Sequence, residues 1–330
     1  MFNRRELLRG FGAAGVSVSA FHGGIVRAAM PANSTVPSFD VLPGSCDCHV
    51  HVFDTAKFPF VEKRTYTPPD ATANELVQLQ RSLRLDRVVV VQPSVYGADN
   101  SCTLDAMRRL GDHARGVAVI DKTTSQSAID DMAAAGVRGI RLNLHTNAAG
   151  NFDADGAKSM LDTAAQQIAG RGWHVQFYTG LNIIAALKDH FLQLPFPVVF
   201  DHFGRAAAEK GSGQAGFDTL LELVKAGRAY VKISGAYRVS RKAPEFADVM
   251  PLAQALVAAN PDRIVWGTDW PHPNSDAGRG KPLSEISAPF AIDDGLLFNQ
   301  VARWIPDMAI RKKVLVDNPA RLYGFENSAS

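Results

Sequence analysis

Two histidines stand two residues apart in the stretch Asp47-Cys48-His49-Val50-His51-Val52-Phe53-Asp54. On a strand such residues share one face, so both imidazoles can address one metal ion or one substrate while Val50 and Val52 pack behind them. Near the far end of the chain, Gly267-Thr268-Asp269-Trp270-Pro271-His272-Pro273 adds a carboxylate and another imidazole. His202 follows Asp201 at the end of an apolar run. Such a set can hold a divalent ion with an open water position, through His49, His51, His202 and Asp269. Without metal, Asp269 can serve as the base for a water while the histidines polarise a carbonyl. Arg141, Arg205 and Arg238 stand at or just after other apolar runs. A guanidinium fork matches a carboxylate bidentately, so three of them near one pocket point to an anionic substrate.

For these residues to meet, the ends of the apolar runs must converge. The pattern predicts strands at 47–52, 87–93, 114–120, 137–144, 173–178, 198–202, 229–234 and 263–268. Helices are predicted at 73–83, 101–110, 125–135, 155–170, 182–191, 217–225 and 246–259, with a helical tail over 293–325. Eight such alternations predict the α/β class and a closed (β/α)8 TIM barrel, whose chemistry gathers at the C-terminal strand ends. Those ends carry His49 and His51; Arg141, Asn143 and His145; Gln176 and Tyr178; Asp201, His202 and Arg205; Ser234, Tyr237 and Arg238; and Asp269 and His272. No Gly-x-Gly-x-x-Gly follows the first strand, and no glycine-rich loop carries a phosphate-binding lysine, which disfavours nucleotide folds. Cys46 and Cys48 are expected as small buried residues on the strand face opposite Asp47, His49 and His51. With Cys102 they make an odd count, against a disulfide framework. The segment 282–290 is a loop that could cover the pocket.

The chain has 330 residues and a formal charge of +2. No basic run recurs in its body, so no nucleic-acid partner is expected. The basic residues cluster instead at the N-terminus, where Arg4-Arg5 precedes a Gly/Ala-rich stretch and small residues at Ala28-Ala29. This pattern resembles a twin-arginine export signal over 1–30, followed by a flexible lead over 31–43. The expected partner of the precursor is the export machinery, and the expected location is the periplasm, as a folded protein. The apolar part is too short to span a membrane. One barrel domain is expected over 44–325, with a short tail over 326–330.

Six motifs carry a family resemblance: Asp47-Cys48-His49-Val50-His51-Val52-Phe53, Arg64-Thr65-Tyr66-Thr67-Pro68, Gly139-Ile140-Arg141-Leu142-Asn143, Asp201-His202-Phe203-Gly204-Arg205, Trp266-Gly267-Thr268-Asp269-Trp270-Pro271-His272-Pro273-Asn274 and Asp317-Asn318-Pro319-Ala320-Arg321-Leu322-Tyr323. Together they resemble the amidohydrolase superfamily, and within it the 2-pyrone-4,6-dicarboxylate lactonase-like group, from about residue 43 to 323. The resemblance implies a distorted barrel that opens lactones with water and without a bound metal. It implies that Asp269 activates the water beside His49, His51 and His202. It also implies substrate contacts from Tyr66, Tyr178, Arg141, Arg205 and Arg238. The lactonase pattern has a further arginine six residues beyond the position of Arg141, where this chain has Asn147. That difference and the export segment leave room for a lactone with fewer carboxylates or one from a sugar acid. Two alternatives stay open. One is a mononuclear zinc- or manganese-dependent hydrolase or decarboxylase. The other is a periplasmic binding protein without turnover.

Overall fold

The computed structural model describes residues 35–144 and 153–326. The expected export segment, His145 and Asn147 lie outside those residues. Eight parallel strands follow one another in sequence order: β1 Cys46–Val50, β2 Arg87–Val91, β3 Ala114–Ala118, β4 Val137–Asn143, β5 His174–Tyr178, β6 Val198–Phe200, β7 Ala229–Ser234 and β8 Ile264–Gly267. The ring closes between β1 and the residues just after β8. Val50 pairs in parallel with Trp270, and the Asp269 amide donates to the His49 carbonyl at 2.8 Å. This is the expected (β/α)8 barrel. Its closure ties the backbone of Asp269 to that of His49.

The surrounding helices are α1 Ala73–Leu83, α2 Ser101–Leu110, α3 Gln126–Ala134, α4 Ala154–Gln167, α5 Leu181–Ala186, α6 Lys188–Gln193, α7 Phe217–Lys225, α8 Met250–Ala259, α9 Asp294–Trp304, α10 Met308–Lys312 and α11 Asn318–Tyr323. Local chemistry sets several ends. Thr72 and Glu75 form a reciprocal capping box at the start of α1, and Arg84 closes it in a left-handed conformation. The expected helix over 182–191 divides into α5 and α6. The one expected from 246 begins at Met250, where Pro251 suits the first turn because its missing N–H is not needed there. No helix among the described residues is long and apolar enough to cross a membrane.

The core has two layers. Inside the barrel, Val89, Val91, Val117, Val199 and Val265 pack with Tyr230 and with Tyr323 from α11. Outside it, the alternate residues Val88, Val90, Val198, Phe200, Val231, Ile233 and Ile264 face the helices. One expectation fails here. Cys46 and Cys48 belong to the interior layer, while Val50 and Val52 belong to the outer one. The register of β1 shifts between Asp47 and Val50. A bulge of this kind adds one residue and resets the alternation, so Cys48 and His49 both turn inward. All three cysteines are free and buried.

Candidate active site

Asp269 is fully buried, and its two oxygens have different neighbours. Oδ2 accepts from the Tyr237 hydroxyl at 2.7 Å and from Nε of Arg238. It also stands 3.8 Å from His202 Nε2. Among the described residues Oδ1 has no hydrogen-bond partner, and it stands 3.6 Å from His51 Nε2 and 3.7 Å from His49 Nε2. His51 Nδ1 lies 2.7 Å from the carbonyl of Val91. A carbonyl only accepts, so Nδ1 carries the proton and the neutral ring turns a lone pair from Nε2 toward Asp269. A lone pair and a carboxylate oxygen facing each other call for a proton donor or a cation between them. A water can donate one O–H to each.

A second ionic cluster lies beneath. Asp201 receives Nε of Arg141 at 3.0 Å and faces His49 Nδ1 at 3.3 Å and Lys232 Nζ at 3.9 Å. Lys232 is fully buried, donates to the Cys48 carbonyl at 2.7 Å, and lies 3.4 Å from His49 Nδ1. Sequence reasoning did not assign Lys232 or Tyr237 a role. The available signal for Lys232 was a lysine inside the otherwise apolar run of β7, on the same face as Ser234. Asp47, expected to face the site, instead locks the barrel seam. It accepts from the Thr268 amide at 3.0 Å and the Thr268 hydroxyl at 2.5 Å.

Burial and charge set the protonation states. Burial pulls His51 down to about 4 and His202 to about 3, and it also holds His49 well below the ordinary range, although Asp201 opposes it there. Burial opposes the charge on Asp269, but Arg238, together with His202, His49 and His51, outweighs it and keeps the carboxyl well below its usual value. Burial likewise brings Lys232 down to about 8.

The backbone at the site is unusual. β6 ends at Phe200, two residues earlier than expected, and His202, Phe203, Gly204 and Arg205 all have positive φ. Asp269 and His272 do as well, at +67° and +62°. Such conformations are costly for non-glycine residues and persist only where the surroundings enforce them, commonly at functional sites. His202 Nδ1 is anchored at 2.9 Å by the hydroxyl of Ser234 on β7.

Above these groups lies a small pocket of about 30 Å³, lined by His51, Tyr66, Ser94, Arg141, Asn143, Tyr178, His202, Arg238, Asp269 and Ser275, with Pro93 and Pro273. His49 lies behind the lining. Arg205 reaches the pocket only through Tyr178, donating to its hydroxyl at 2.8 Å and lying 5.2 Å over its ring. Tyr66 sits in a loop pinned by the 282–290 segment. The Thr67 hydroxyl donates to Leu283 at 2.6 Å, and the Ser287 amide donates to Thr67 at 2.7 Å.

The donor set also fits a divalent ion. His49, His51 and Asp269 offer ligand atoms within 4.8 Å of one another, and two of those atoms, His49 Nε2 and Asp269 Oδ1, are buried without a hydrogen-bond partner among the described residues. A second trio, His49, Asp201 and His202, is as compact. It shares its carboxylate with Arg141 and Lys232, which disfavours a cation there.

Fold and site together define a hydrolytic enzyme built on a (β/α)8 barrel. A model of the family described as Amidohydrolase matches residues 46–325. The chain is 36% identical over 288 residues to the 4-sulfomuconolactone hydrolase of Hydrogenophaga intermedia, covering 87% of this chain and 90% of that protein. It is 37% identical over 302 residues to the 2-pyrone-4,6-dicarboxylate hydrolase of Comamonas testosteroni, covering 88% and 94%. An apo crystal structure of an Agrobacterium tumefaciens protein superimposes with a TM-score of 0.74 at 28% identity, over 89% of this chain and all of that one. The chain belongs to the amidohydrolase family.

Proposed function

We propose that the protein hydrolyses a small anionic lactone with a water activated by Asp269. The observation that carries this reading is the free Oδ1 of Asp269, facing His49 and His51 in a pocket that also presents Arg141 and Arg238. Relatives covering most of the chain are hydrolases of a sulfomuconolactone and of a pyrone dicarboxylate, both anionic, which supports the substrate class.

In this mechanism Arg141 and Arg238, with Arg205 acting through Tyr178, orient the carboxylate. The water donates to Asp269 Oδ1 and to the His51 lone pair. Its oxygen attacks the lactone carbonyl as Asp269 takes the proton. A carboxylate held so far down accepts a proton only while the water oxygen is bonding to carbon, so the two events are concerted. The developing oxyanion is met by donors from Tyr66, Tyr178 or His202, where hydrogen bonds contribute most to rate. Collapse breaks the ring C–O bond, and Asp269 returns its proton to the departing oxygen. The product is a hydroxy acid or its keto form.

The orphaned atoms His49 Nε2 and Asp269 Oδ1 favour one second reading, a metal-assisted hydrolase. Zinc or manganese held by His49, His51 and Asp269 would polarise the carbonyl and lower the pKa of water. A screen of anionic lactones, with and without chelator, tests substrate and metal together. No turnover of any lactone would overturn the proposal. For the export segment, the periplasm is the proposed location, tested by cell fractionation with and without Arg4→Lys and Arg5→Lys.

A further inference from the structure

Tyr237, His272 and Asp294 do not line the pocket and have no part in the mechanism above. They are buried and joined in a row. The Tyr237 hydroxyl donates to Asp269 Oδ2 at 2.7 Å and stands 3.3 Å from His272 Nδ1. His272 Nε2 stands 3.1 and 3.2 Å from the two oxygens of Asp294. Tyr237 sits in the turn after β7, His272 in the turn after β8, and Asp294 is the first residue of α9, where free amides favour an anion. Three separate elements thus converge behind one carboxylate oxygen.

Asp294 as a carboxylate only accepts, so His272 Nε2 carries a proton toward it and the ring orientation is set, with Nδ1 against the Tyr237 oxygen. A phenol has one proton; the shorter distance makes Asp269 Oδ2 its main acceptor, with the Nδ1 lone pair of His272 as the weaker acceptor of the same bifurcated O–H. The backbone makes this support necessary. Asp269 and His272 are both left-handed, three residues apart, and joined by the His272 amide donating to the Asp269 carbonyl at 2.8 Å. Tyr237 touches the side chains at both ends of that turn.

We propose that Tyr237, His272 and Asp294 form a positioning relay that aims Asp269, occupying Oδ2 from behind so that Oδ1 faces the water between His49 and His51. The proposal rests on Asp269 being the base. Arg238 bonds the same Oδ2, but from the pocket side, where it also meets substrate. The relay acts on Asp269 alone.

The test measures kcat, KM and the Ki of a competitive carboxylate for Asp269→Asn, Tyr237→Phe, Asp294→Ala, Asp294→Asn and the double variant Tyr237→Phe/Asp294→Ala. Thermal unfolding of each is followed as a control. Tyr237→Phe and Asp294→Ala are expected to lower kcat about tenfold to hundredfold, as loss of an outer hydrogen-bond partner commonly does, with KM and Ki almost unchanged. Asp294→Asn, whose amide oxygen still accepts from His272, recovers most of the rate. The double variant is no slower than Tyr237→Phe. A wild-type kcat for Tyr237→Phe beside an inactive Asp269→Asn overturns the relay and spares the base. Equal losses for Asp294→Asn and Asp294→Ala, or additive effects in the double variant, also overturn it. Full activity of Asp269→Asn removes the base assignment and the relay together.

Discussion

Arg238 bonds only one oxygen of Asp269. Its Nε donates to Oδ2, and its Nη2 turns away to the carbonyl of Pro273 at 3.0 Å. The guanidinium therefore holds the carboxylate ionised without covering Oδ1. Removing it raises the Asp269 pKa, because the charged form loses its strongest partner. Arg238→Met should shift the acid limb of kcat/KM to higher pH and raise KM for a carboxylate-bearing lactone. A pH–rate profile at matched substrate range checks both. An unmoved acid limb would separate Arg238 from the base.

Asp269→Asn leaves the hydrogen bonds from Tyr237 and Arg238 one acceptor oxygen but removes the base. General-base catalysis contributes roughly 10²–10⁴-fold, so kcat should fall by about that factor while KM changes little. Single-turnover rates on the best lactone from the screen provide the measurement.

Stability should fall toward acid pH. Burial holds His51, His202 and His174 down to about 4, 3 and 3 in the folded protein, and His49 well below the ordinary range, against ~6.5 in an unfolded chain. Between ~6.5 and those lower values the unfolded chain binds more protons, so stability drops as pH drops. Asp201 and Asp269, both depressed, add to this below ~3.9. Asp47, pushed up to about 7 by burial, acts in the opposite sense between ~3.9 and its folded value, but it is one group against four imidazoles. Tm should be nearly level between pH ~7 and ~8 and decline from about pH 6 to 4. His174→Gln should reduce the decline. A Tm independent of pH over this range would contradict four neutral buried imidazoles.

If the Asp269 water needs no metal, dialysis against a strong chelator should leave kcat unchanged, and elemental analysis should find well under one zinc or manganese per chain. Stoichiometric metal whose removal abolishes activity and whose return restores it would favour the second reading instead.

Gly267 has no room for a side chain. A Cβ there would meet the His49 amide nitrogen at 2.7 Å, the His49 Cβ at 2.9 Å and Asp47 Oδ1 at 3.0 Å. Its φ is ordinary, so the constraint is space alone. Gly267→Ala should push β1 from β8 and cost about 1–3 kcal/mol or more, read as a lower Tm and as lost activity, because His49 moves. Wild-type Tm would show that the seam can yield.

The alternation of apolar runs and helical periods was enough to read the barrel, because each strand must bury both faces and each helix one. Helix bounds such as Ala73–Leu83 and Phe217–Lys225 were legible, since Thr72, Arg84 and the apolar spacing act locally. The residues of the candidate site were legible as types at strand ends: His49, His51, His202, Asp269 and the arginines. Their division of labour was not. A bulge in β1 turned Cys48 and His49 to the same interior, against strict alternation, because pairing with β2 and the seam to β8 sets the register. Lys232 reads as an ordinary charge in a strand until the ring closes and places it beneath Asp201 and His49. Whether Asp269 offers one oxygen or two is decided by Tyr237 and Arg238, more than thirty residues away in sequence, and only the closed barrel brings them to it.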